Sequence, residues 1–565
     1  MRRSFVPRLV GLVGLVGLAV FTSACGPSAP AGLVGPKVPA PAAPTPPPGP
    51  SSGPAPAADP FAVREALSSE PAVGGVEGGV ASTPMPLSPP PPGVGPVPAA
   101  CQAFARRRAT KAPACAERAP ALAALEAALA IADAGKRDAA LLGLEACEGL
   151  PGGLATALRA ELAPSGCADA IVGPVLAAPP RKLAASMQQT LFAHGVAARL
   201  ARTVGAAPKL APPYSKQRVL AHLQGPLKLW MTEQAAAVQR LSEFGASLTF
   251  YARGVVALEA ALADLRFVGV VRGAPVPEEF KNDRELSDAY YGSLDQVLEP
   301  RKARGRDAAL VGLRDFAQVG VVADARLERA RTLLSELYGG KRVDALDSLV
   351  VPALGPAPRD AVEERLAAVL PTYYAGLLFA DREPSAAFTR ALLERGLPWS
   401  IRPKLTPAAE LDAELRKLAL QGRLALGRRY RRAVDFDEAV AHGARLPAAS
   451  RPAEVQLAFA LAIALRGGPE DVAALMRNST SDVRGGDVAA LEAVATAGGP
   501  LAGAAAFDAA RVREAYAPSG ADAAYWRDVA GRYRRSAAAL PDPKQRAAAE
   551  ERATAAEAIA AAAGR

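Results

Sequence analysis

Aromatic residues make up only 5% of this 565-residue chain, and histidine occurs three times, at His194, His222 and His442. The five cysteines form no CxxC pair, and with the histidines so far apart a zinc site has no ligand set to draw on. HExxH, Walker A, the dinucleotide glycine fingerprint and Ser-x-x-Lys are all missing. Adjacent carboxylates such as Glu278-Glu279 and Glu363-Glu364 point about 100° apart on a helix and cannot flank one bond. Aromatic concentrations are confined to Tyr290-Tyr291, Tyr373-Tyr374 and Trp399, and paired tyrosines suit a core or an interface. The expectation is therefore a non-enzyme, with no catalytic residue, no metal and no cofactor. There is no apolar run of the ~20 residues that a bilayer-spanning helix needs, and no convincing series of alternating strands.

What is present begins at the N-terminus. Arg2, Arg3 and Arg8 precede an apolar stretch from Leu9 to Phe21, which ends in Thr22-Ser23-Ala24-Cys25. A basic segment, a short apolar segment and small residues make a secretory signal. Ser23-Ala24-Cys25 resembles the lipobox of bacterial lipoproteins, with Thr22 standing where Leu is usual. That resemblance implies a signal peptide over 1–24, acylation of Cys25 with palmitate-type chains, and a lipid anchor in a membrane. Gly26 stands where Asp would resemble an inner-membrane retention signal, so the cell outer membrane is the expected location, facing the periplasm or the surface. Arg2-Arg3-Ser4-Phe5-Val6 also resembles a twin-arginine export motif, with Pro7 in place of the usual basic residue.

Residues 25–100 hold 22 of the 52 prolines, interleaved with Gly, Ala and Ser. Such a composition buries too little apolar surface to offset chain entropy and reads as a disordered tether, reaching on the order of 230 Å if fully extended. Cys101, Cys115, Cys147 and Cys167 follow it. An even number in an exported chain argues for two disulfides. Of the three possible pairings, short connections favour Cys101 with Cys115 and Cys147 with Cys167.

From residue 101 onward, apolar residues recur at steps of three and four, as in Ala119–Ala134, Arg181–Val204, Ala323–Tyr338 and Glu454–Arg466. Gly and Pro punctuate the connections at Pro151-Gly152-Gly153, Gly225-Pro226, Gly339-Gly340 and Gly467-Gly468-Pro469. One seam from Trp230 to Leu265 reads as the longest element, packed on another helix of the same chain. The fold class is all-α, built of helical hairpins. The expected division is a disulfide-stapled helical subdomain over 101–178, a helical domain over 179–407, and a further helical domain over 408–565.

In that last domain Leu426-Gly427, Tyr430 and Asp435-Phe436-Asp437-Glu438-Ala439 resemble a tetratricopeptide repeat, with Gly427 and Ala439 small where two helices would meet. A partial second copy lies at Trp526, Val529, Ala530 and Tyr533, and Pro469–Ala473 reads as an intervening turn and helix start. The resemblance implies an α-solenoid whose groove would carry Arg428 and Arg431 from one copy and Arg527 and Arg534 from the other. Guanidiniums there suit a carboxylate. The expected function is a membrane-anchored helical scaffold binding an envelope protein through an acidic segment or terminal carboxylate. The alternative is a cell-wall-active or glycan-binding enzyme with a helical superstructure. The formal charge is +10. Its clusters at Arg106-Arg107-Arg108, Arg301–Arg306, Arg428–Arg432 and Arg532–Arg535 read mainly as helix faces balanced by nearby acids. In an exported chain they are not expected to meet nucleic acid.

Overall fold

A computed structural model describes residues 60–61, 84–107, 109, 115–180, 182–205, 207–248, 250–281, 283–321, 324–337, 347–351, 359–379, 413–466, 487–518 and 520–564. The signal over 1–24, Cys25, most of the tether, Gly339-Gly340, Trp399 and Pro469–Ala473 lie outside them. The described residues are all-helical, with no strand among them. None of the described helices is long and apolar enough to cross a membrane.

The first helices are α1 (Ala99–Ala105), α2 (Arg118–Leu129), α3 (Ala134–Gly143), α4 (Leu154–Leu162), α5 (Ala168–Ala177) and α6 (Ala185–Arg202). The periodicity through Ala134 hides a break. Asp133 accepts a hydrogen bond from the Lys136 N–H (2.7 Å), capping a new helix rather than continuing the old one. After α7 (Lys216–His222) and a π-turn (Leu223–Leu227) come α8 (Lys228–Ala246), α9 (Phe250–Arg272), α10 (Glu278–Lys281), α11 (Arg284–Gln318) and α12 (Ala325–Leu337). Then follow α13 (Val362–Val369) and α14 (Thr372–Phe379).

The seam from Trp230 to Leu265 is two helices, α8 and α9, and the longest described element is α11, of 35 residues. The three-four repeat runs through the break because both helices bury the same kind of face in one core. α9 is apolar on nearly every side and packs against α6, α8, α11 and α12. Gly254 and Gly312 allow a close approach of α9 and α11, since a Cβ there would stand 2.7 Å from the Phe316 ring and 2.6 Å from Leu258 respectively. Two carboxylates on this axis are also held across it: Asp315 by Arg253 at 2.8 Å, and Asp264. Asp264 takes Arg301 and Arg304 at 2.6 and 2.7 Å, which turns that basic cluster inward.

One apolar cluster joins α2 to α14 and takes in Phe61 and Tyr430, so residues 101–178 and 179–379 share a core. The C-terminal helices are α15 (Ala413–Tyr430), α16 (Ala433–Ala444), α17 (Ala453–Leu465), α18 (Ala489–Ala497), α19 (Ala502–Ala515), α20 (Ala523–Ala539) and α21 (Pro543–Ala563). Each packs on the next. Gly427 and Phe436 make the close contact of the α15–α16 hairpin, with Ala439 fully buried.

Two expectations need correction here. The segment Pro84–Pro98 is not a free tether. It has no helix, yet Met85, Leu87 and Val94 pack on the core, and Arg202 Nε donates to the Gly95 carbonyl (3.2 Å) while Gly95 N–H donates to the Arg202 carbonyl (3.3 Å). Apolar residues spaced among the prolines supply the burial that average composition conceals. The disulfides join Cys101 to Cys167 and Cys115 to Cys147, with Cα separations of 4.9 and 5.3 Å, not sequence neighbours. α1 lies on α5, so Cys101 meets the residue that precedes α5. Cys115 and Cys147 flank the α2–α3 hairpin and close it.

Candidate binding cavity

The four arginines expected in one groove are not assembled. Arg428 donates through Nη2 to the carbonyls of Asp347 and Leu349 at 3.2 and 3.3 Å. Arg431 is 3% exposed, at a φ of 58° just past α15, and hydrogen-bonds Tyr516. Burial pulls its guanidinium down to about 10. The physical reason is coverage. The segment 347–351 and α19 lie across the face that an open superhelix would leave to solvent, tied by the Val350 N–H donating to Asp508 (2.8 Å). Arg527 and Arg534 are exposed on α20, and Arg534 pairs with Glu557 of α21.

A different group of polar side chains converges inside the larger core. Glu161, in the last turn of α4, receives the Tyr251 hydroxyl from α9 on Oε2 at 2.9 Å and the Tyr374 hydroxyl from α14 at 3.4 Å. Arg326, in the first turn of α12, donates to Oε1 at 2.5 Å. His194 of α6 stands with Nε2 2.8 Å from the Tyr374 hydroxyl and 3.3 Å from Oε2. One carboxylate thus ties five helices. Tyr373 stacks on Tyr251 with centroids 4.3 Å apart and shares a hydrogen bond with Thr190 (2.9 Å), which locks the aromatic wall.

The electrostatics follow from this enclosure. Burial, reinforced by the Arg326 charge, pushes His194 down to about 3, so the ring is neutral. Burial and the Glu161 charge hold Tyr251 and Tyr374 well above the usual phenol range. Burial opposes the Arg326 charge, but Asp324 and Glu161 outweigh it and hold the guanidinium charged. Burial raises the Asp324 carboxyl, partly offset by Arg326.

A cavity of about 120 Å³ opens beside this network, bordered by Glu161, His194, Glu259, Asp324, Arg326 and Arg329. Glu259 is held by Arg266 at 3.2 Å and Arg329 at 3.6 Å. A second cavity, about 110 Å³ and almost wholly apolar, lies between α7, the π-turn and the start of α11, with Leu223, Met231, Phe280 and Leu294 in its wall. Among the described residues no group of three His, Cys, Asp or Glu could hold a metal.

Sequence reasoning passed over Glu161, Asp324 and Arg326. Asp324 and Arg326 lie two apart, but Glu161 is more than 160 residues away on another helix, and each stands among other charges that give no reason to single it out. His194 and Tyr374 were visible as isolated features, and Tyr373-Tyr374 belongs to the core.

The buried histidine carries a pH signature. In the unfolded chain the ring takes up a proton below about pH 6.5, whereas the folded ring resists protonation until about 3. Its contribution is therefore full above pH 6.5 and is lost on acidification, by up to about 1.4 kcal/mol per pH unit. Asp324, with its carboxyl raised, works in the opposite direction, so the measure is a difference between two chains. Denaturant unfolding at pH 7 and pH 5 should show a smaller acid loss in His194→Gln than in the parent. Equal losses would mean that the ring titrates freely.

No protein family, no curated protein and no solved structure matches the chain. The tetratricopeptide likeness therefore rests on the residues of the α15–α16 hairpin and the shorter stretch on α20.

Proposed function

We propose that this chain is an exported, lipid-anchored helical scaffold that binds another protein of the cell envelope, at the outer membrane. The observation that carries this reading is the C-terminal succession α15 to α21, in which each helix packs mainly on its chain neighbours. Such quasi-one-dimensional stacking is how helical repeats build extended partner surfaces. Two disulfides agree with folding in an oxidising compartment. The anchor is tested at Cys25, because acylation needs its thiol. Cys25→Ser should shift the protein from the membrane fraction to the soluble envelope fraction, and unchanged partition sinks the lipoprotein reading.

A second reading, a cell-wall-active enzyme, is favoured by one observation. Glu161, Glu259 and Asp324 border a single cavity. Against it, the Glu161 oxygens already accept from Arg326, Tyr251 and Tyr374. Clearing of purified cell wall in a zymogram would favour the enzyme, and an inert band favours the scaffold.

A further inference from the structure

Three sequence features with no role so far, Gly225-Pro226, Glu278-Glu279 and Tyr290-Tyr291, flank the apolar cavity of about 110 Å³. Pro226 has no N–H to give the helical ladder, and between α7 and α8 the chain widens into the π-turn whose Leu223 and Leu227 stand in the wall. Such turns recur at functional sites. α10 is tied to the start of α7, because Glu278 and Glu279 accept from the backbone N–H groups of Tyr214 and Lys216 at 3.4 Å, and Phe280 joins the wall from there. Met231 of α8, Val271 of α9 and Leu294 of α11 supply further apolar surface.

Protein interiors are otherwise close-packed, and an apolar space left unfilled costs stability. This one opens to solvent. Val297 on its border is 45% exposed, and Lys216 is exposed as well. The polar side chains of the border are few and all can donate: the Lys216 ammonium, the Tyr290 hydroxyl and the Ser293 hydroxyl. None of these three groups hydrogen-bonds or ion-pairs with another described residue. Burial raises the Tyr290 phenol, so it keeps its proton. No carboxylate and no side-chain amide lines the cavity, and its one charge is positive.

We propose that this cavity binds a free alkyl carboxylic acid, with the carboxylate on Lys216, Tyr290 and Ser293 and the tail among Leu223, Met231, Phe280 and Leu294. An apolar pocket with a few polar groups on its border is the usual form of a small-molecule site. An apolar cavity of ~150 Å³ holds benzene, so this smaller one suits a tail of about five carbons. A peptide terminus is the poorer occupant, because its amide N–H would meet a wall with no carboxylate or amide oxygen to receive it. This adds a small-molecule ligand to the scaffold reading without depending on it.

The test is calorimetric titration of the full chain with propionate, hexanoate, hexanol and N-acetylnorleucine, the last being hexanoate with a peptide-type amide. Each buried methylene is worth about fourfold, so hexanoate should bind at least about tenfold tighter than propionate. Hexanol lacks the charge and N-acetylnorleucine adds the amide, and both should bind at least about fivefold more weakly than hexanoate. Lys216→Gln should weaken hexanoate by a similar factor while hexanol binding and melting stay unchanged, since that side chain lies in solvent. Tyr290→Phe keeps the ring beside Phe280, at 6.1 Å between centroids, and should also weaken the acid. The proposal is overturned if hexanoate does not bind up to about 10 mM, where a site of ~1 mM dissociation constant is nearly filled. It is equally overturned if hexanol or N-acetylnorleucine matches hexanoate, or if Lys216→Gln binds hexanoate as the parent does.

Discussion

Glu161→Ala is expected to destabilise the folded chain by about 3–5 kcal/mol, the cost of breaking a buried ion pair by removing one partner. Arg326 would be left in the core facing Asp324 alone, at 3.9 Å from its Nε, with Nη1 already lacking a partner. The Tyr251 and Tyr374 hydroxyls would both lose the Glu161 oxygen as acceptor, leaving them with each other and His194. Glu161→Gln preserves an acceptor oxygen and the volume but not the charge, so it should cost less than the alanine. Chemical denaturation at pH 7 measures both. An alanine variant within about 0.5 kcal/mol of the parent would place Glu161 with ordinary surface positions and dissolve the five-helix tie.

Removing a disulfide should have a comparable effect. In the chain-entropy treatment, closures of 66 and 32 residues each contribute about 4 kcal/mol. The bridges are nested, because Cys115–Cys147 lies within the span from Cys101 to Cys167. Once the inner bridge is closed the outer loop is effectively shorter, so the paired variants Cys101→Ser/Cys167→Ser and Cys115→Ser/Cys147→Ser should not add fully. Alkylation of single variants reads the connectivity directly. Cys101→Ser should expose the thiol of Cys167 and leave Cys115 and Cys147 unreactive. A free Cys115 in that variant would restore the pairing of sequence neighbours.

The helices were legible because their cause is local. Leu122, Leu125 and Ala128, or Val455, Ala458 and Leu461, declare an apolar face within a few turns, and the structure buries those faces. Gly427 with Phe436 and Ala439 belongs to the same class, since a hairpin of two adjacent helices is still a short-range object. The errors came where a local pattern admits two outcomes. A three-four repeat cannot reveal a chain reversal near Ser247 when both arms enter one core. Proline content cannot reveal that Met85 and Leu87 find a surface to cover. Arginines three apart share a face whether that face meets solvent or, as with Arg428 and Arg431, another part of the chain.

The sequence by itself therefore determined the fold class, the extent of many helices, an even set of cysteines suited to two bridges, and a repeat-like hairpin. Each follows from interactions between residues close along the chain. Only the tertiary structure decided which cysteines meet, which charges are consumed within the protein, and where a cavity is left. Glu161 and Arg326 are 165 residues apart, and Glu161 and Tyr374 are 213 apart. A carboxylate in water has no preferred arginine. Packing of α4, α6, α9, α12 and α14 removes the water and leaves one arginine within reach.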